Sequence, residues 1–205
     1  MSAASITIAT EHLSTNDPRM ALLIAQFPAP GFVPHTDYYR ELVESIISQQ
    51  LSVKAAATIT KRFVDSFGHF PSPTDILSRS PEELRAVGLS GQKASYIQDL
   101  AAKVLDGSVQ FDHLSDLTNE QIVAELTSVR GIGEWTVHMF LMFCMGRLDV
   151  LPAGDLGIRN AIAMNYGLAN CTPADVTRVA AENGWNPYES VASRYLWLSL
   201  DNAPK

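Results

Sequence analysis

Two glycines and the turn they form are the first residues of this sequence whose types and spacing point to chemistry. Gly131 and Gly133 flank Ile132 between two segments with helical patterning. Glycine reaches positive φ without strain, so alternating glycines allow several backbone N–H groups to converge at the start of the following helix. Such a turn, reinforced by the helix N-terminus, suits a phosphate. On its pattern alone, the same Gly-x-Gly is more often a plain tight turn.

Asp155 is the second such residue, because it stands directly before a helical segment at residues 156–166. Its carboxylate can accept a hydrogen bond from the backbone N–H of Gly157 or Ile158, which is the role of an N-cap. An aspartate in this position is most often only a cap. The pattern alone therefore favours a structural role for Asp155.

Composition bounds the kind of protein. The chain has 205 residues, 46% of them hydrophobic, which fits one domain or one two-lobed unit with a substantial core. Two cysteines exclude a disulfide framework, a four-cysteine zinc site and a four-cysteine iron–sulfur cluster. No apolar run is long enough for a bilayer, and residues 1–10 lack the pattern of a secretory signal. We expect an intracellular protein that does not enter a membrane.

The net charge of −7 argues against a nucleic-acid partner, because phosphate binding normally leaves a basic surface. Fields act locally, however, so the distribution of charge matters more than the sum. Residues 45–64 contain two lysines and one arginine but no acidic residue, whereas acidic residues concentrate at 37–44, 75–83 and 112–125. We expect any affinity for DNA to be modest and sensitive to salt.

Hydrophobic periodicity near 3.6 residues predicts an all-α fold of about ten short helices. Helix starts are predicted at caps followed by proline or acidic residues, as at Ser80, Thr118 and Thr172, and also at Thr74. The only weak strand candidate is residues 5–9. The predicted helical segments are residues 37–49, 53–67, 93–105, 135–145, 156–166 and 187–200.

Two regions are distinguished along the chain. Residues 1–36 carry four prolines and are interpreted as a poorly periodic arm that packs on the helical core, with one short apolar stretch at residues 20–27. Residues 37–205 are interpreted as a single functional unit. No repeat of 20–50 residues is found.

Three blocks of sequence, in this order, resemble the helix–hairpin–helix DNA glycosylase superfamily. They are residues 45–57 (SIISQQLSVKAAA), 129–136 (VRGIGEWT) and 151–159 (LPAGDLGIR), and Trp185-Asn186-Pro187 leading to Trp197 is a weaker match. The branch that it resembles is the 3-methyladenine-DNA glycosylase II type, in the compact form without an N-terminal β domain. The resemblance implies two helical lobes with a cleft for the base between them.

The resemblance assigns DNA contacts to the hairpin and to a loop. The hairpin would hold a phosphate beside the lesion, and carbonyls of Thr127, Val129 and Ile132 would hold a monovalent cation, Na⁺ or K⁺; no other cofactor is expected. Gln50, with Leu51 as its neighbour, would fill the gap left by the flipped base, although an ordinary interhelical turn is the alternative. The hairpin residues that the resemblance assigns to the DNA backbone are Arg130, Gly131, Ile132, Gly133 and Thr136.

By resemblance, Asp155 is the catalytic carboxylate that stabilises positive charge on the sugar while the N-glycosidic bond breaks. Trp135 and Trp197 match residues that line the base pocket, where a ring can stack on a cationic alkylated base, and core packing is the alternative for both. Met139 occupies a place where relatives can carry an aromatic residue. Trp135 also stands where lyase-active relatives carry a lysine, so base removal without strand cleavage is expected. Trp185 is interpreted as core.

The sequence therefore predicts a monofunctional glycosylase that excises alkylated purines from double-stranded DNA, with Asp155 essential. It is expected to be monomeric, and to work in the cytoplasm and nucleoid of a bacterium or the nucleus of a eukaryote. The alternatives are a non-catalytic helix–hairpin–helix DNA-binding module, a glycosylase with lyase activity and a plain helical interaction protein. The sequence does not choose among 3-methyladenine, 7-methylguanine, ethenoadenine and hypoxanthine.

Overall fold

The computed structural model describes residues 3–201, which form helices and connecting segments and contain no strand. The predicted all-α fold with about ten short helices is confirmed, since twelve α-helices are found in this range. The chain divides into two compact units, one made of residues 1–35 and 141–205 (unit 1) and one of residues 36–140 (unit 2). Within the described part of the chain, no helix has the length and hydrophobicity that crossing a bilayer requires.

Unit 2 is built around a long central helix, α7 (Gly91–Leu105), which packs against α3 (Tyr38–Ser48), α5 (Pro73–Leu77) and α6 (Pro81–Ala86). Its core includes the fully buried residues Ile46, Phe63 and Ile97. Leu114–Asp116 forms a short 3₁₀ turn between α7 and α8. The helices of unit 2 are α3 (Tyr38–Ser48), α4 (Val53–Phe67), α5 (Pro73–Leu77), α6 (Pro81–Ala86), α7 (Gly91–Leu105), α8 (Asn119–Leu126) and α9 (Glu134–Met139).

Unit 1 is organised by its last helix, α12 (Glu189–Asp201), which contacts α1 (Ala3–Asn16), α2 (Pro18–Gln26) and α10 (Leu156–Tyr166). The segment that follows α9 was predicted to continue as one α-helix to residue 145, but Phe140–Cys144 is a π-helical turn. The helices of unit 1 are α1 (Ala3–Asn16), α2 (Pro18–Gln26), α10 (Leu156–Tyr166), α11 (Pro173–Glu182) and α12 (Glu189–Asp201).

Three further predictions about local structure are wrong. Residues 5–9 are not a strand but part of α1, because Ile6, Ala9 and Leu13 follow helical spacing and are buried in the core. The N-terminal arm expected to be poorly periodic thus contains two helices. Thr74 is not an N-cap. Ser72 caps α5, Pro73 stands in the first turn, and the Asp75 carboxylate accepts the backbone N–H of Ser72.

A fully buried carboxylate, Asp17, joins the N-terminal helices to the rest of unit 1. Its Oδ1 caps α2 by accepting the N–H groups of Arg19 and Met20 at 2.9 and 3.0 Å. Its Oδ2 accepts the Tyr166 hydroxyl at 2.6 Å and the Trp185 indole N–H at 2.7 Å. The pairing satisfies four donors at once and confirms Trp185 as a core residue, since its side chain is fully buried.

We predict that Asp17→Ala lowers the free energy of unfolding by about 3 kcal/mol or more, because a buried tyrosine hydroxyl and indole N–H lose their acceptor. Urea denaturation followed by circular dichroism measures this loss. Asp106→Ala is the matched control, because the Asp106 carboxylate is exposed and its bonds are local ones, from the backbone N–H and the side chain of Ser108. An equal loss in both variants would contradict the role given to Asp17.

Candidate functional site

The hairpin of unit 2 runs from the end of α8 through Gly131 and Gly133 into α9. Gly131 has a φ of +84°, a value that residues with a side chain rarely adopt. A Cβ at Gly131 would also overlap the ring of Tyr96, which lies on α7. Gly133 does not share this geometry: its φ is −98°, and a Cβ there would meet no atom within 4 Å. Only the first glycine is therefore required by backbone conformation and close packing.

The backbone donors of the hairpin do not all point to an external anion. The N–H of Arg130 donates to Asp99 Oδ2 at 2.8 Å, and that of Ile132 donates to the Val129 carbonyl at 3.1 Å. Gly133 is the N-cap of α9 and brings no side chain to cap it. Because a helix leaves its first N–H groups without intrahelical acceptors, the start of α9 is where this turn can receive a phosphate.

Asp99 on α7 binds the hairpin at Arg130. Besides the Arg130 N–H, its carboxylate accepts the Arg130 Nε at 3.0 Å. Burial opposes ionisation of Asp99, but the bonds from the Arg130 backbone and side chain outweigh it and lower the pKa of the carboxyl. Asp99 is therefore a charged anchor for a turn whose own sequence is mostly apolar and glycine.

The loop between α3 and α4 (residues 49–52) is called the wedge loop. It carries Gln50 and Leu51, the two residues predicted to fill the gap left by a flipped base. Gln50 has a φ of +57°, which is uncommon for a residue other than glycine, and its side chain is exposed. Leu51 is 37% exposed, high for a large apolar side chain. The conformation of Gln50 is strained, and strain of this kind concentrates at functional positions.

The wedge loop and the hairpin are directly connected. The amide Nε2 of Gln49 donates to the carbonyl of Gly131 at 2.7 Å. The Lys93 ammonium, on α7, donates to the carbonyls of Ile47 and Gln49 at 2.8 and 2.7 Å, at the end of α3. Burial lowers the pKa of Lys93. A single set of bonds thus spans α3, the loop, α7 and the hairpin turn.

A cleft of about 450 Å³ in unit 2 brings four of the predicted site residues together. Trp135, in the first turn of α9, is 55% exposed, which is inconsistent with a core role. Met139, one turn further on, is half-buried and does not line this cleft. Thr136 lines it although its side chain is largely buried. The lining residues are Gln49, Gln50, Ser90, Gln92, Lys93, Tyr96, Gly131, Trp135 and Thr136.

Asp155 in unit 1 caps α10 and also contacts Trp197. Its Oδ1 accepts the backbone N–H of Ile158 at 2.8 Å and the indole Nε1–H of Trp197 at 2.9 Å. The cap role and the contact with a predicted pocket residue therefore fall on one oxygen. The side chain is half-buried, and an ionised carboxylate offers acceptor positions on both of its oxygens. The cap accordingly does not prevent a second role for this carboxylate.

Gly157 makes the contact between Asp155 and Trp197 sterically feasible. A Cβ at this position would lie 3.0 Å from Asp155 Oδ1 and 3.0 Å from Trp197 Cδ1, closer than side chains normally pack. Trp197 is held on its other side by the ring of Phe143, stacked with centroids 6.2 Å apart. The sequence pointed to Gly157 only as a possible backbone donor to Asp155, although a glycine in the first turn of a helix is also a signal of close approach.

The carbonyl groups expected to bind a monovalent cation lie at the end of α8 and in the hairpin. Thr127 is the C-cap of α8, where carbonyls lack intrahelical donors. The Val129 carbonyl accepts the Ile132 N–H and keeps a second lone pair. Neutral oxygen donors are suited to hard cations, so the donor set of Thr127, Val129 and Ile132 fits such an ion.

A family model described as the HhH-GPD superfamily base excision DNA repair protein matches residues 43–187. The chain belongs to this superfamily. The match spans the wedge loop, the hairpin and Asp155, and it confirms the resemblance to helix–hairpin–helix glycosylases. The match includes every site residue that the sequence predicted except Trp197.

Similarity to individual proteins supports the same family. The putative DNA-3-methyladenine glycosylase YfjP of Bacillus subtilis is 36% identical over 80% of the chain, which spans 59% of that relative. The crystal structure of a DNA-3-methyladenine glycosidase from Bacillus halodurans has a TM-score of 0.87 at 32% identity, covering 95% of this chain and 89% of that one. A Schizosaccharomyces pombe 3-methyladenine DNA glycosylase (Mag1) in complex with abasic DNA has a TM-score of 0.77 at 32% identity, covering 95% and 97%.

We predict that Gly131→Ala destabilises the protein by about 2 kcal/mol or more, because it combines an unfavourable φ with overlap of the Tyr96 ring. Gly133→Ala has open space and an ordinary φ, and should cost only the difference between glycine and alanine as the N-cap of α9, less than about 1 kcal/mol. Chemical denaturation of the two variants measures the difference. Equal stability of both would show that the hairpin does not need a glycine at residue 131.

Proposed function

We propose that this protein is a DNA glycosylase that flips alkylated purines out of double-stranded DNA and hydrolyses their N-glycosidic bond, leaving an abasic site. The observation that carries the proposal is the Asp155 carboxylate, held through Oδ1 by the Ile158 N–H and the Trp197 indole. Membership of a base excision repair superfamily and similarity to proteins named 3-methyladenine glycosylases support it.

The proposed reaction needs a fixed negative charge near the sugar. As the C1′–N bond breaks, its electron pair leaves with the base and positive charge develops on the sugar ring. A water molecule then forms the new C1′–O bond and gives up a proton. Asp155 would stabilise the positive charge and orient the water or accept its proton. Its position is set by two donors on one oxygen, so little reorganisation is required when the charge appears.

Alkylation explains how the base itself would be selected. A purine alkylated on a ring nitrogen carries a positive charge in the nucleotide and leaves as a neutral base. The Trp135 ring, 55% exposed, can stack on such a base, and a cation–π contact contributes about 0.5–2 kcal/mol. Trp197 has a second proposed role, because its N–H donates to Asp155: it positions the carboxylate as well as offering a ring to the base.

The hairpin and the wedge loop would bind the DNA itself. We assign the phosphate beside the lesion to the start of α9, with Arg130, Gly131, Ile132, Gly133 and Thr136 forming the turn that presents it. Carbonyls of Thr127, Val129 and Ile132 would hold a Na⁺ or K⁺ ion there. Gln50 and Leu51 would occupy the gap left by the flipped base. The proposed enzyme acts as a monomer, in the compartment that holds the genome.

We also propose that the enzyme does not cleave the DNA strand. Lyase chemistry in this superfamily uses an amine that forms a Schiff base with the sugar, and Trp135 stands at the corresponding position. The expected product of incubation with methylated DNA is free methylpurine, with strand breaks only after alkali. Breaks formed before alkali would contradict the monofunctional assignment, and the absence of released base would favour a DNA-binding module without catalysis.

We predict that Asp155→Asn lowers the single-turnover excision rate by about 10²–10³-fold while DNA affinity and folding are retained. The asparagine oxygen can still accept the bonds from the Ile158 N–H and the Trp197 indole, so the substitution removes the charge and leaves the cap. Excision of methylated bases, fluorescence anisotropy with DNA and thermal unfolding measure the three properties. A variant that excises at the original rate would rule out Asp155 as the catalytic group.

A further inference from the structure

We propose that three residues on one face of α7, Lys93, Tyr96 and Asp99, form a bracket that sets the wedge loop at a fixed place relative to the hairpin. They are positioning residues for base flipping, and the inference rests on the proposed function. The residues are three apart, which places them along one face of the helix. None of them is among the motif residues of the sequence.

The first arm of the bracket is Lys93. Its ammonium donates to the carbonyls of Ile47 and Gln49 at 2.8 and 2.7 Å. These carbonyls belong to the last turn of α3 and its C-cap, where a helix has no donors of its own. A positive charge is also favourable at a helix C-terminus. Lys93 therefore fixes the point at which α3 ends and the wedge loop begins.

The second arm is the contact between Tyr96 and the hairpin glycine. The Tyr96 ring lies so close to Gly131 that no Cβ could be accommodated there. The carbonyl of the same Gly131 accepts the Gln49 side chain at 2.7 Å. The loop and the hairpin thus meet at one residue, and that residue is pressed against α7.

The third arm is Asp99, which accepts both the backbone N–H and the Nε of Arg130, at 2.8 and 3.0 Å. Two bonds from one residue to one carboxylate restrict rotation as well as distance. The hairpin is consequently held at Arg130 by Asp99 and at Gly131 by Tyr96, on a helix that also holds the loop.

The bracket matters for function because Gln50 and Leu51 must take the place of the flipped base in the duplex. Gln50 adopts an unfavourable positive φ and precedes the half-exposed Leu51. If the loop were free, the cost of ordering it would be added to the cost of flipping. Because the bracket orders the loop when the protein folds, the cost of ordering it is not added when DNA binds. A larger fraction of the complex then has the base flipped.

The experiment compares excision of one lesion in a normal pair and in a mismatch, with Lys93→Met and Gln49→Met as test variants. A mismatched base is easier to extrude, so a defect in flipping is reduced there, whereas a defect in chemistry is not. We expect Lys93→Met to slow excision from the normal pair about tenfold, and by less than about threefold from the mismatch. Asp155→Asn should be equally slow in both.

Three further measurements separate positioning from folding. Lys103→Met removes the same charge from the same helix; Lys103 makes the smallest of the contributions that lower the pKa of Asp99, and this variant should excise at close to the original rate. Lys93→Arg, which restores a donor to both carbonyls, should recover most of the rate. Thermal unfolding of each variant identifies the fraction folded. A Lys93→Met defect that is the same for both substrates, or that Lys93→Arg fails to relieve in a folded protein, would overturn the bracket.

Flipping can also be followed without any excision. With 2-aminopurine next to an abasic analogue in the duplex, saturating protein should raise the fluorescence, and less so with Lys93→Met or Gln49→Met. If the original protein releases no base, the proposed function fails, and this measurement still tests the bracket. Identical fluorescence for the original protein and both variants, at saturation, would contradict the proposal.

Discussion

The position of one carboxylate oxygen constrains the chemistry of unit 1. Asp155 Oδ1 accepts both the Ile158 N–H at the start of α10 and the Trp197 indole on α12. The two donors come from helices that pack against each other in unit 1, so the carboxylate moves only if that packing changes. Gly157 is part of the same constraint, because a side chain there would separate Asp155 from Trp197. The N-cap bond, a structural interaction, in this way also orients the carboxylate that is proposed to act in catalysis.

Unit 2 uses hydrogen bonds differently, to order two irregular segments. The wedge loop and the hairpin turn both carry positive φ, at Gln50 and Gly131. Glycine adopts this conformation without strain at residue 131, whereas Gln50 does not, and both segments are held by contacts from α7 and Gln49. Several of these residues also line the cleft of unit 2. The negative charge of the chain is compatible with this design, because backbone N–H groups rather than lysines would receive the phosphate.

Much of the fold could be predicted because it depends on local rules. α4 and α10 have the predicted bounds, and Thr118 forms its capping box. One error is local, because Ser72 rather than Thr74 caps α5, and another arises where tertiary packing decides. Residues 5–9 alternate like a strand, yet burial of Ile6 and Ala9 makes them helical.

The site was predictable only as a set of motif residues. Asp155, Trp135 and Gly131 could be located by the blocks that carry the resemblance. The contacts of Lys93, Tyr96 and Asp99 join segments of the chain that are distant in sequence, and no pattern in one sequence indicates them. The sequence allows positive φ at both Gly131 and Gly133, but a glycine permits this conformation without requiring it, and only Gly131 adopts it, next to the Tyr96 ring.

The most direct test of the account is the affinity for DNA that carries a positively charged sugar mimic. A duplex with a pyrrolidine abasic analogue, protonated at neutral pH, is compared with one carrying the neutral tetrahydrofuran analogue. If Asp155 stabilises the positive charge of the transition state, the protein should bind the charged analogue about 10²-fold more tightly, and Asp155→Asn should lose most of that preference. An undiminished preference in Asp155→Asn would contradict the central claim.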